Sequence, residues 1–172
     1  MAKKELYKND LKHLFKSDLK HIYYVEKEHS RVLGQIVKVT TDPEIIEGVQ
    51  SILDQSAKNM ERIENVFDNI GLKPRSRKSR GIEGMIRESK EIIMKAEHLT
   101  YVMIDAALLS AIHRILFYKI ASYKIIKGYA KLMEDKSSVE LFDSCLKDAI
   151  VSERKLSRLI LSRVKPKTVT VV

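Results

Sequence analysis

The sequence predicts an all-α protein, an antiparallel bundle of four long helices with one shorter helix between the second and third. Three observations carry this expectation. Apolar residues recur at steps of three and four along four long stretches, the spacing that lines one helix face. Six glycines and three prolines are few for 172 residues, so the helices are expected to be long. Residues 73–80, KPRSRKSR, hold five basic residues in eight and no apolar one, and divide the long helices into two pairs.

In the first helix Leu11, Phe15, Leu19, Ile22, Leu33 and Ile36 form the stripe, with Glu26 and His29 in its middle, and the helix is expected to end near Val39. Thr41 or Asp42 suits a cap, Pro43 the first turn and Glu44 the positive helix end that follows. The second helix shows Ile45, Val49, Ile52, Ser56, Asn59, Ile63, Val66 and Ile70 on one face, with Gly71 and Pro74 as its stop. A short amphipathic helix is expected from about Ile82 to Ala96. The third long helix, from about Leu99 to Met133, is apolar on most sides and is expected to be the most enclosed. Ser137 with Glu140 reads as a capping box for the last helix, where Phe142, Leu146, Ala149, Leu156 and Ile160 make a seam that includes Glu153.

Residues 1–164 are thus read as one bundle domain and 165–172 as a frayed tail. A single cysteine, Cys145, cannot close an internal disulfide, and it reads as an inert core thiol, which suits a reducing cytoplasm. No apolar run follows the charged first ten residues, so no signal peptide is expected. The most apolar stretch, residues 101–126, carries Asp105, His113, Arg114, Lys119 and Lys124, which favours a buried helix over a membrane span. No nucleophile elbow or Gly-rich phosphate loop is visible, which counts against a hydrolase.

Glu26, His29, Ser56, Asn59 and Glu153 are polar residues on core-facing stripes. A buried carboxylate needs a cation, hydrogen-bond donors or water. Glu26 and His29 have the Glu-x-x-His spacing that sets a carboxylate and an imidazole one turn apart, as metal-binding bundles use. The plainer reading is a hydrogen-bonded core pair, because no second such motif occurs on the third or fourth long helix. Asp18 and His21 repeat the spacing, but His21 reads as a surface residue, as do His13 and His98. His113 reads as a satisfied core or boundary residue; Tyr23, Tyr24, Tyr118 and Tyr123 either line a metal pocket as hydrogen-bond donors or, the favoured reading, pack with their hydroxyls reaching polar partners.

The segments LFKSDLKHIYYVEKEHSRVL, NMERIENVFDNIGLKP, GIEGMI and DAALLSAIHRILFYKIASY, with the terminal helix, resemble the YciE/YciF-type ferritin-like family in order and spacing. The resemblance implies a dimeric ferritin-like four-helix fold, association with stress responses and a di-iron site. Set against the family pattern, Glu26 keeps the first-helix glutamate, preceded by Tyr23, Tyr24 and Val25. A Glu-Thr pair of the second helix becomes Gln55 and Ser56, ahead of Arg62, Ile63 and Glu64. The third-helix run Glu-His-Tyr-Glu-Ile-Ala-x-Tyr becomes Leu116, Phe117, Tyr118, Lys119, Ile120, Ala121, Ser122 and Tyr123. A glutamate pair of the last helix becomes Asp148 and Ala149, while Glu153 keeps a later acidic position.

The resemblance therefore implies a degenerate site with Glu26 and Glu153 as remnant ligands and His29 as a possible addition. No cofactor is expected, with iron or another divalent metal at Glu26, His29 and Glu153 as the alternative. Lys119 is read two ways: its ammonium replaces the metal's charge beside Glu26 or Glu153, or its stem runs out to the surface.

The formal charge of +9 and pI of about 9.5 favour a polyanionic partner. Lys4, Lys8, Lys12, Lys16 and Lys20 recur at steps of four, and Arg75, Arg77, Lys78 and Arg80 crowd the basic break. This surface either contacts phosphates or an acidic protein, or is a solvated face; no recognised nucleic-acid motif accompanies it. Three function classes follow. They are a non-enzymatic, stress-associated cytoplasmic homodimer, a metal-binding or ferroxidase-like protein with fewer ligands, and a basic bundle that binds nucleic acid or an acidic partner.

Overall fold

The structure, a computed structural model, describes residues 2–95 and 101–164, and the side chains of 5–95 and 103–162 among them. The Lys4 side chain, His98, the expected helix start at Leu99 and the tail 165–172 lie outside the described residues. Five helices follow in order: α1 (Ala2–Val39), α2 (Pro43–Asn69), α3 (Arg80–Met94), α4 (Tyr101–Leu132) and α5 (Lys136–Val164).

The long helices form an antiparallel four-helix bundle in which α1 touches α2 and α4, and α5 touches α2 and α4. Direction follows from the cross-helix bonds. Glu26 and Thr40 of α1 meet Tyr123 and Asp105 of α4, so α1 rises as α4 descends. Arg62 and Asn69 of α2 meet Asp148 and Ser137 of α5, again antiparallel. Because α2 and α4 run the same way, the chain must travel back along the bundle between them. The basic break and α3 make that return, and α3 packs its buried Ile82 and Ile86 against α1 and α4.

Local chemistry fixes the ends. The Asp42 carboxylate accepts from the Glu44 and Ile45 backbone N–H groups at 2.9 and 3.3 Å, with Pro43 at the first helical position. At the other end of α2, Gly71 takes φ +68°, and Leu72 N–H reaches back to Phe67 O while Gly71 N–H reaches Asp68 O. That paired closure demands a left-handed residue, which glycine supplies without strain.

The start of α5 differs from the expectation at Ser137. Asp135 is the cap: its carboxylate accepts from Ser138 N–H at 3.1 Å and from the Ser138 hydroxyl at 2.6 Å. Ser137 is exposed and accepts from Asn69 Nδ2 instead. The preceding closure of α4 uses Glu134 at φ +61°, a position glycine more often fills.

The core joins the predicted stripes of all five helices, with Phe15, Leu19, Ile22, Ile63, Phe67, Leu108, Ile115 and Phe142 fully enclosed or nearly so. Each contributes roughly 1.5–3 kcal/mol of burial free energy. α4 is apolar around most of its circumference because it meets three neighbours, α1, α3 and α5. Among the described residues, no helix is long and apolar enough to cross a membrane.

Candidate functional site

Four helices bring polar groups to one point in the core. Glu26 of α1 is fully buried, and its carboxylate faces the Lys119 ammonium of α4 at 2.8 Å. Lys119 is 2% exposed, so its charge stays in the core and its stem does not run to the surface. The Ser56 hydroxyl of α2 donates to Glu26 Oε2, and the Tyr123 hydroxyl of α4 donates to Oε1. Both carboxylate oxygens are therefore satisfied by an ammonium and two hydroxyls. An ion pair removed from water is tolerated only with such a complete set of donors.

His29 lies one helical turn beyond Glu26 and is fully buried. Its Nδ1 is 3.4 Å from Lys119 Nζ, so the imidazole accepts from the ammonium and must be neutral. Burial, reinforced by the Lys119 charge, holds its pKa well below the usual histidine value. Glu26 and His29 are thus joined through Lys119, where a direct core pair was expected. His29 Nε2 and Ser30 Oγ are buried without a hydrogen-bond partner among the described residues.

The α5 side of this layer is Cys145, fully enclosed, its thiol pushed up to about 12 by burial and by the Glu26 charge. Beside it, Arg62 bonds Asn59 and Asp148, and Gln55 Nε2 donates to Asp148 at 2.6 Å. Gln55, Ser56 and Asp148 thus hold hydrogen bonds at positions where the family pattern has glutamates and a threonine.

Glu153 does not join this centre. It is half-buried and pairs with His113 Nε2 at 2.9 Å, and it accepts from the Ser157 hydroxyl at 2.6 Å. The Ser157 and His113 hydrogen bonds hold its carboxyl below the usual range. Eight residues separate Glu153 from Cys145, about 12 Å along the helix. Glu26, His29 and Glu153 therefore do not converge as a ligand set. Among the described residues, no group of three or more His, Cys, Asp or Glu side chains is placed to hold a metal.

Ser157, His113 and Glu153 resemble a hydrolytic triad only in composition. Serine and carboxylate both contact the same imidazole nitrogen, Nε2, whereas a triad needs the acid on Nδ1 to orient the base.

The donor set does not fit a di-iron centre. Leu116 is buried, Phe117 points outward at 52% exposure, neither can ligate, and an ammonium sits 2.8 Å from Glu26. Nor is the centre open to substrate: a groove of about 600 Å³ lies along α2, lined by Ile46, Glu47, Ser51 and Asp54 among others, and not by Glu26 or Lys119.

Tyr118 and Tyr123 are packing residues whose hydroxyls reach polar partners: Tyr123 donates to Glu26, and Tyr118 bonds His21 Nε2 at 2.5 Å and stacks on its ring. His21 is accordingly half-buried, not a surface residue. The family pattern also has tyrosines at the positions of Tyr118 and Tyr123. Tyr23 donates to Glu64 at 2.7 Å, which pushes its phenol up to about 12.

Of the basic residues, Lys8, Lys12, Lys16, Arg75, Arg77, Lys78 and Arg80 are exposed and Lys20 is half-buried. The only ion pair any of them makes among the described residues is Lys78 with Glu83, at 3.6 Å.

An antiparallel four-helix bundle with one long crossover and a buried, fully donated ion pair at its centre defines the class of this protein. Residues 10–168 match the family described as a domain of unknown function, DUF892, and the chain belongs to that family. It is 27% identical over 143 residues to Protein YciF of Escherichia coli K12, spanning 83% of this chain and 85% of that protein. The crystal structure of the E. coli stress protein YciF superposes with a TM-score of 0.84 at 26% identity, covering 91% of this chain and 98% of that one. YcfI from Rhodopseudomonas palustris superposes with a TM-score of 0.80 at 25% identity, over 86% and 92% of the two chains.

Proposed function

We propose that this chain is a ferritin-like, stress-associated cytoplasmic protein without enzymatic activity, acting as a homodimer, in which an internal ion pair has taken the place of a metal centre. The single observation that carries this reading is the Lys119 ammonium at 2.8 Å from the buried Glu26 carboxylate. A cation fixed to the protein balances the one carboxylate of the family pattern that remains at the bundle centre. Metal entering there would meet like charge and too few anionic ligands. Stress association is taken from the described role of the E. coli relative.

The test is metal analysis of protein purified from iron-replete cells, followed by anaerobic ferrous loading and exposure to oxygen. Iron well below one per chain and no protein-dependent oxygen consumption are expected. Two irons per chain with oxygen-dependent oxidation would refute the reading. Sedimentation of the purified protein checks the dimer.

A further inference from the structure

The basic connection between α2 and α3 is not a free loop. Arg77 donates its backbone N–H to the Lys20 carbonyl of α1 at 2.9 Å, and its guanidinium donates to the Ser17 hydroxyl. These two bonds fasten the segment to the outer side of α1, where Lys16 and Lys20 stand one turn apart. Two runs of cations far apart in sequence thereby become neighbours.

Near them stand Asp18, which is half-buried and faces His21 and Arg77, Glu83, which is shared by Lys78 and Tyr24, and Glu5, exposed one turn before Lys8 at the end of the ridge. Lys16, Lys20, Lys73, Arg75 and Arg80 make no ion pair among the described residues. Like charges at a spacing of four already oppose the helix. Fastening further cations beside them adds to that repulsion, which an anion would relieve.

We propose that this joined face, Lys8, Lys12, Lys16 and Lys20 with Lys73, Arg75, Lys78 and Arg80, binds the phosphate backbone of double-stranded nucleic acid without regard to sequence. The α1 lysines rise by about 6 Å and turn by about 40° per step, so they form a ridge that winds slowly around the helix. A membrane surface fits less well. Of the exposed apolar residues of this part of α1, Tyr7 and Leu14 lie roughly 160–180° around the helix from Lys16, and Leu6, about 80° from it, precedes the first lysine of the ridge. Beside the cationic face Leu6 alone is available to insert among lipid tails, far short of the apolar stripe that an interfacial helix buries. A single strand also fits less well, because residues 73–80 contain no aromatic ring on which bases could stack.

The experiment is anisotropy of a short labelled duplex of mixed sequence, titrated with the full-length protein at several salt concentrations. With roughly five phosphates neutralised, the slope of log Kobs against log salt is about −4.5. The variant Lys73→Gln/Arg75→Gln/Lys78→Gln/Arg80→Gln keeps the Arg77 anchor, and the slope is expected to weaken by about one for each lost contact. A control removes the same number of exposed charges elsewhere, Lys124→Gln/Arg154→Gln/Lys155→Gln/Arg158→Gln, and is expected to bind as the unmodified protein does. Circular dichroism establishes that both variants are folded.

Four outcomes overturn the proposal: no duplex binding at low salt, binding indifferent to salt, equal weakening in the control, or tighter binding to a single strand or to anionic vesicles than to duplex. None of these bears on the metal content.

Discussion

Replacing Lys119 by methionine removes the ammonium while nearly conserving the volume of its stem. Glu26 is then a fully buried carboxylate with two hydroxyl donors, Ser56 and Tyr123, and no counter-charge. Breaking a buried pair from one side costs about 3–5 kcal/mol. For a chain of this length that is a fall in Tm on the order of 10 °C. The double variant Glu26→Gln/Lys119→Met removes both charges and is expected to recover most of the loss, with a coupling of about 2–3 kcal/mol. Urea unfolding of the unmodified protein, Lys119→Met, Glu26→Gln and the double variant measures these quantities. A Lys119→Met deficit under about 1 kcal/mol, or a double variant that recovers none of it, would refute the view that the ammonium is the required counterion.

Three further outcomes follow from particular residues. Because His29 is held neutral well below the ordinary histidine pKa, the unfolded chain takes up its proton first. Stability is expected to fall as pH drops below about 6.5, by at most about 1.4 kcal/mol per pH unit, and His29→Gln should remove that component from the urea-melt profile. Glu134→Gly places glycine at the left-handed position of the α4 closure and should raise stability by about 0.5–1 kcal/mol, read as a higher Tm. Cys145, buried and with its thiol pushed up to about 12, should resist a disulfide-exchange thiol reagent at pH 8 in the folded protein and react fully in denaturant, on the basis of a free-thiol reference near pH 8.5.

Much of this structure was legible in the sequence because its helices are long and strongly periodic. Val39, Pro43 and Gly71 mark ends that local chemistry alone sets, through a proline, a capping carboxylate and a left-handed glycine. The start of α5 was read two residues late. Ser137 and Glu140 have the spacing of a capping box, but the tight closure at Glu134 brings Asp135 into the capping position first. Glu153 was placed correctly on the seam of α5 but not at the right height in the bundle. A seam position says which face a residue occupies, while the level of its partner depends on how far one helix is shifted along another. His113 stands at that level, and Glu26 stands about two turns away, as the helix rise of 1.5 Å per residue measures it.

The sequence by itself determined that Glu26 and Lys119 fall on apolar helix faces, and that the third long helix carries Leu116, Phe117 and Lys119 where the family pattern it resembles has glutamate, histidine and glutamate. Packing decided what those residues became. α4 is enclosed by α1, α3 and α5, so the Lys119 stem has no short path to water, and its ammonium must find an acceptor inside. The antiparallel alignment of α1 and α4 supplies Glu26 at 2.8 Å and His29 at 3.4 Å. The same alignment leaves Glu153 to His113. Helical periodicity is a property of neighbouring residues and is written in the chain; the meeting of a charge with its counter-charge across helices is a property of register, which only the folded bundle fixes.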